Sequence, residues 1–274
     1  MLYVDTPAGQ RWRLAELDAI LDRFDTEMEN AVREAKLTST DDYRSLVAFT
    51  VGKSLLMLRS VILLSANGFP EGALALARNI YEQFVIICYF EANKRAASFQ
   101  TIIDDYLIDY DIQRYKALKY VYAHSNLDSI KAEKDDIESA LRDSRAKASK
   151  STRGEYWWAD ANSFSALAER VAQLQDTTEQ PFFYTLHSLY KRACIALHAS
   201  YIGNVIRLGG NDSFWGVDSS PVLEGHGTLL YFAITSFITI VGVACRLFHI
   251  DFTPYCEQLN ELALFYQKQS KNEG

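Results

Sequence analysis

The chain has 274 residues, 49% of them hydrophobic and 23% charged, with a formal net charge of −7. That length suits one large domain or two small ones, and the composition excludes a disordered or fibrous chain. The acidic balance excludes wholesale non-specific binding to nucleic acid, but it leaves room for a local basic site.

Breakers are few, with five prolines and 13 glycines, and long uninterrupted stretches favour helices. The first helix is expected over residues 10–36, where Leu17, Ile20, Leu21, Phe24, Met28, Val32 and Ala35 form a stripe at helical spacing. Thr38-Ser39-Thr40-Asp41 is a cap-rich break before a second helix, about 41–66. That helix is very apolar from Leu46 to Ala66, yet Lys53 and Arg59 interrupt it and argue against a membrane span. Asn67-Gly68 ends it, and Pro70 opens a third helix through Glu91.

The third helix carries the most informative pattern. Arg78, Asn79, Glu82 and Gln83 share one arc, with Leu74, Ala77, Tyr81, Phe84 and Val85 opposite. One turn later the polar arc is continued by Ile86, Tyr89 and Phe90. Two readings stand side by side. Either the Arg78–Glu82 pair looks into the protein, where each charge needs a partner, or it is an exposed i,i+4 ion pair on a solvated face.

A fourth helix is expected over about 96–123, lined by Phe99, Ile102, Ile103, Tyr106, Leu107 and Tyr110. Asp104, Asp105, Asp109 and Asp111 read as its solvated face. No Glu-x-x-His occurs to support a ferritin-like di-metal centre, so neither metal nor cofactor is expected. Residues 128–155 alternate in charge and read as a charged helical arm or linker. Arg142, Arg145, Lys147, Lys150 and Arg153 close it, just before Trp157 and Trp158. Basic residues beside aromatics can hold nucleic acid through phosphate contact and base stacking. The competing reading makes those aromatics anchors of the following segment.

A short helix over about 163–174 points Leu167, Val171 and Leu174 inward. Pro181 begins another, about 181–207, placing His187, Lys191, Cys194 and His198 along one face. Residues 209–227 read as the longest irregular segment. The helix that follows, 228–249, has a charge-free run from Thr228 to Cys245, at the threshold for a membrane span. Its Thr and Ser content favours a buried bundle helix. A last helix begins at Pro254, with Leu259, Leu262 and Phe265 inward. The sum is an all-α chain: residues 1–274 as a single multi-helix bundle of eight or nine helices, with the charged arm of 128–155 inside it. The scattered cysteines (Cys88, Cys194, Cys245, Cys256) and the absence of a signal-peptide core in MLYVDTPAGQRWRL point to a cytoplasmic protein.

Several motifs carry a resemblance. Asn67-Gly68-Phe69, Glu71, Arg78-x-x-x-Glu82, Trp158, Phe164-Ser165-x-Leu167-Ala168 and His198-Ala199-Ser200 resemble the pattern of a bacterial all-helical domain-of-unknown-function family over roughly 45–250. That resemblance implies a helical fold with Arg78, Glu82 and His198 as marked positions. A looser similarity is to HEPN ribonucleases, whose signature is Arg, four to six residues, then His. Arg192 through His198 fits that spacing, with Ala193 where the family usually has a polar residue. It implies a dimeric, metal-independent ribonuclease in a toxin or phage-defence setting. His198 is then the acid/base group, Arg192 with help from Arg78 stabilises the phosphorane, and Glu82 orients Arg78 or His198. Lys191, His187, Trp157 and Trp158 complete the candidate RNA or ligand contacts. The other expectation is a non-catalytic helical module that binds a small anion or a protein partner through a buried polar network.

Overall fold

The computed structural model describes residues 11–38, 42–125, 128–141, 156–197, 208–211, 214–217 and 226–272. Nine α-helices lie among them: α1 Leu14–Ala35, α2 Asp42–Ala66, α3 Pro70–Asn93, α4 Phe99–Ser125, α5 Asp128–Leu141, α6 Phe164–Leu174, α7 Gln180–Leu197, α8 His226–Phe248 and α9 Thr253–Asn272. The all-helical class expected from the sequence holds. The stretch expected to be irregular contains a small antiparallel ribbon, β1 Leu208–Asn211 and β2 Phe214–Val217, with Leu208 opposite Val217. Four residues per strand are too few for an alternating pattern to stand out in a sequence. The residues group into two compact units, one of Met1–Ile87 with Tyr184–Gly274, the other of Cys88–Phe183.

In the first unit α8 is the centre, packed against α9, α2 and α1. Both α2 and α8 are long and apolar enough to cross a membrane by length and composition. The most apolar stretch of α8 is 72% buried inside the protein and that of α2 only 56%, so α2 keeps an open face. Phe24 of α1 meets Phe237 of α8 and Tyr255 of α9 edge-on, at centroid distances of 6.2 and 5.3 Å. The Tyr266 hydroxyl donates to the Trp12 carbonyl over 2.6 Å, which ties the chain ahead of α1 to α9. The end of α2 is a Schellman turn: the Phe69 amide donates to the Leu64 carbonyl and the Gly68 amide to Ser65. Gly68 has φ 75, the left-handed value this turn needs.

Close approach at α8 gives a direct expectation. A Cβ on Gly227 would lie 2.8 Å from the Ser270 amide nitrogen and 3.1 Å from the Tyr266 carbonyl oxygen. These are backbone atoms, so α8 and α9 would have to separate. Gly227→Ala is expected to destabilise by about 1–3 kcal/mol, the usual cost of overpacking, read as a lowered Tm with secondary structure retained.

In the second unit Trp158 is the hub. Its ring lies 4.9 Å from Tyr106 and 5.6 Å from both Tyr89 and Phe90. Trp157 donates from Nε1 to Asp109 Oδ1 over 2.6 Å. Ser163 caps α6, its hydroxyl accepting from the Ala166 amide. The charged helix α5 packs along α4, with Ile137 buried, Arg114 bonded to Glu133 and the Lys134 ammonium 5.9 Å above the Tyr122 ring. One buried apolar residue and its ion pairs are enough to dock the segment. Its continuation, including Arg142, Arg145, Lys147, Lys150 and Arg153, lies outside the described residues.

Three side-chain expectations need correcting. The aspartate face of α4 is not uniformly solvated: Asp105 is buried and Asp109 serves Trp157. Leu107 and Tyr110, expected inward, are exposed, because α4 buries Ile103 and Ile112 instead. Leu174 is also exposed, at the last residue of α6.

Candidate functional site

The polar stripe of α3 meets α7 in the first unit. Arg78 and Glu82, one turn apart on α3, form an ion pair with Nε and Oε1 3.1 Å apart. Tyr190 of α7 closes a triangle with them. Its hydroxyl donates to the same Glu82 oxygen over 3.2 Å and accepts from Arg78 Nη2 over 3.5 Å. The Arg78 guanidinium also sits 5.3 Å from the centre of the Tyr190 ring, within cation–π range. The Arg78 and Glu82 side chains retain 29% and 23% of their exposure, so the pair is neither solvated nor sealed. The two readings of the stripe are resolved midway: the charges point along the protein surface and find their partner on α7.

Behind this polar edge lies an aromatic layer. Tyr81, fully buried, stands 5.5 Å from Phe84, 5.4 Å from Tyr190 and 5.3 Å from Phe232 of α8. The His187 ring stacks on Tyr190 at 5.5 Å with planes 16° apart. The Tyr81 hydroxyl and His187 Nδ1 are 3.3 Å apart. His187, Tyr190 and Cys194 recur at i, i+3 and i+7, so α7 presents one continuous face to this layer.

The electrostatics follow from that packing. Burial works against the Arg78 charge, but Tyr190, Glu82 and Cys194 outweigh it and raise the guanidinium pKa. Burial, the hydrogen bond with Cys194 and the Glu82 charge all push the Tyr190 phenol well above its ordinary value. At neutral pH Arg78 therefore stays charged and the Tyr190 hydroxyl stays neutral. Replacing Glu82 by Gln removes the charge and keeps the shape. The expected loss is about 1 kcal/mol, above the median for a surface pair because the site is half-buried. A double-mutant cycle with Tyr190→Phe, followed by thermal unfolding, should find the two losses non-additive.

Lys191 and Arg192 are exposed on α7, and Arg192 lies about 200° around the helix from Tyr190. Trp157 and Trp158 belong to the second unit and are 5% and 6% exposed. Neither offers an open ring face to a stacking base, so a ligand-contact role for them is corrected to that of core anchors. Their rings are held by Asp109, Tyr106, Tyr89 and Phe90. His198 lies outside the described residues. The structure adds Tyr190 and Tyr81 to the set. For Tyr190 the sequence did carry a signal, its i+3 spacing from His187.

Among the described residues no group of three or more His, Cys, Asp and Glu side chains is placed to hold a metal ion. None of the four cysteines is in a disulfide, and Cys88 and Cys245 are buried.

The chain matches the family of unknown function DUF5677 over residues 44–213 and belongs to it. No curated protein and no solved structure matches the chain. Arg78, Glu82, His187, Tyr190, Arg192 and His198 all fall within the matched residues.

Proposed function

We propose that this protein is a metal-independent ribonuclease of HEPN type, working through α7 and the residues that follow it. The observation that carries the reading is the division of α7 into two sides. One side, Tyr190 and His187, is clamped to α3 by Arg78, Glu82 and Tyr81. On the other side Lys191 and Arg192 are open to solvent, at the start of the Arg192-to-His198 spacing. Arg78 is engaged by Glu82 and Tyr190, so in this reading it is a positioning residue that fixes the register of α7. Arg192 and Lys191 are the groups free to meet phosphate.

The chemistry needs no cofactor. His198 takes the proton from a ribose 2′-hydroxyl, and the 2′-oxygen attacks the adjacent phosphorus. The bond from phosphorus to the 5′-oxygen breaks, and that oxygen takes a proton from water. The products are a 2′,3′-cyclic phosphate and a 5′-hydroxyl end. Arg192 stabilises the dianionic phosphorane. The setting is a cytoplasmic toxin or phage-defence system, with a homodimer as the working form. The test is cleavage of single-stranded RNA in the presence of a chelator. Activity that is lost in His198→Ala, with cyclic phosphate ends on the wild-type products, supports the reading. RNA cleavage unchanged by His198→Ala removes it.

A second reading has its own support. Arg78 and Tyr190 form a half-buried, charged polar edge over an aromatic floor, as suits a module that holds a small anion or a protein partner without catalysis. It predicts no RNA cleavage by the wild type. It also predicts saturable binding of inorganic phosphate that is lost in Arg78→Met.

A further inference from the structure

The open face of α2 is not explained by the site on α3 and α7. Phe49, Leu56 and Leu63 are 74%, 67% and 45% exposed, and they recur every seven residues along α2. Heptad spacing keeps them within about 20° of one line on the helix. Such a row belongs to a seam against another helix rather than to a solvated face. Between them lies Gly52, exposed, and a Cβ built there meets nothing within 4 Å. A glycine inside a helix is unfavourable, and among the described residues nothing fills the space it leaves. An approaching helix from outside would use it.

The occupant is written in the order of the residues. The row reads the same in both directions about Leu56: Phe49 and Leu63 lie seven residues either side of it, Gly52 and Ser60 four, Lys53 and Arg59 three. An antiparallel copy of α2 related by a two-fold axis at Leu56 therefore sets large against large and small against long. Phe49 faces the second copy's Leu63, and Leu56 faces itself. Lys53 passes over the second copy's Ser60, and Arg59 over its Gly52. The two Lys53 backbone positions lie roughly 9 Å apart along the axis, six residues of helical rise. Arg59 is already neutralised by Asp22 and Asp25 of α1, at 3.0 and 2.9 Å. A bilayer would call for a broad apolar face, whereas this one is a single row flanked by Gly52 and Ser60.

We infer that α2 is the self-association surface of this protein, an antiparallel, two-fold α2–α2 contact centred on Leu56. The contact spans about 21 Å of helix from Phe49 to Leu63. A single row of three large apolar side chains is a small seam beside the roughly 800 Å² per partner of a standard tight interface. The dimer is therefore concentration-dependent, and it stands independently of the RNA reading.

Sedimentation equilibrium of the full chain across a concentration series tests it. The wild type is expected to pass from monomer to dimer. Leu56→Asp, which sets two carboxylates against each other at the axis, is expected to weaken the dimer at least tenfold while leaving Tm unchanged in dilute solution. A second measurement reads the register. Under mild oxidation Leu56→Cys crosslinks with itself. Phe49→Cys crosslinks with Leu63→Cys when the two variants are mixed, and neither does so alone. A monomer at all concentrations, a dimer indifferent to Leu56→Asp, or Phe49→Cys crosslinking with itself would each overturn the inference. So would a monomer that floats with phosphatidylglycerol–phosphatidylcholine vesicles through Leu56, which would assign the face to a membrane.

Discussion

Tyr81→Ala is expected to be among the most damaging single substitutions in the first unit, lowering stability by about 3–5 kcal/mol, as for other buried aromatic-to-alanine changes. Tyr81 is 1% exposed and touches Phe84, His187, Tyr190 and Phe232, so it joins three helices at one point. Its removal opens a cavity that those rings cannot all close, because Tyr190 is bonded to Glu82 and stacked on His187. Tyr81→Phe isolates the polar part. It keeps the ring contacts and gives up the 3.3 Å contact with His187 Nδ1, for an expected loss of about 1 kcal/mol. Chemical denaturation of the three proteins checks both values. A Tyr81→Phe loss as large as that of Tyr81→Ala would mean the hydroxyl, and not the packing, holds α7 to α3.

His198→Ala is expected to reduce chelator-resistant RNA cleavage by about 10²–10⁴-fold, the range for loss of a general acid–base group. Arg192→Ala removes the charge that stabilises the phosphorane and is expected to cost about 10²–10³-fold, like the loss of one oxyanion donor. Arg192→Ala is expected to leave Tm nearly unchanged, since Arg192 is exposed and takes no part in the α3–α7 clamp. The contrast is Arg78→Lys. Lysine keeps the charge but cannot bond Glu82 and Tyr190 as a planar fork does. If Arg78 positions α7, this variant lowers kcat and Tm together. If Arg78 instead touches phosphate, kcat falls with Tm intact, and the division of roles between the two arginines is reversed. The pH profile is a further check. Tyr190, whose pKa is raised by burial, should contribute nothing below the alkaline range.

The helices were legible in the sequence because the forces that set their limits are local. Pro70 at a first helical turn, Gly68 with its left-handed φ, and Ser163 as a cap each act within a few residues of themselves. The stripe of Leu17, Ile20, Leu21, Phe24 and Met28 is buried as its period predicts. Arg78 and Glu82 were legible as a pair, since i,i+4 neighbours on a helix must lie side by side.

Only the tertiary structure decided which way the ambiguous faces turn. From Leu46 to Ala66, α2 is apolar nearly all round, and a sequence without a polar side carries no period to orient it. The burial of Leu55, Leu58 and Ile62 and the exposure of Phe49, Leu56 and Leu63 were set by where α1 and α8 lie. The same holds for Trp157 and Trp158. Their neighbours Asp109, Tyr106, Tyr89 and Phe90 are dozens of residues away in the chain, and a local pattern cannot tell an anchor from a stacking platform. The Arg78–Glu82–Tyr190 triangle spans more than a hundred residues of sequence. Periodicity can put a side chain on a face, but its partner across that face is chosen by the packing of whole helices, and that choice gives α7 a clamped side and an open one.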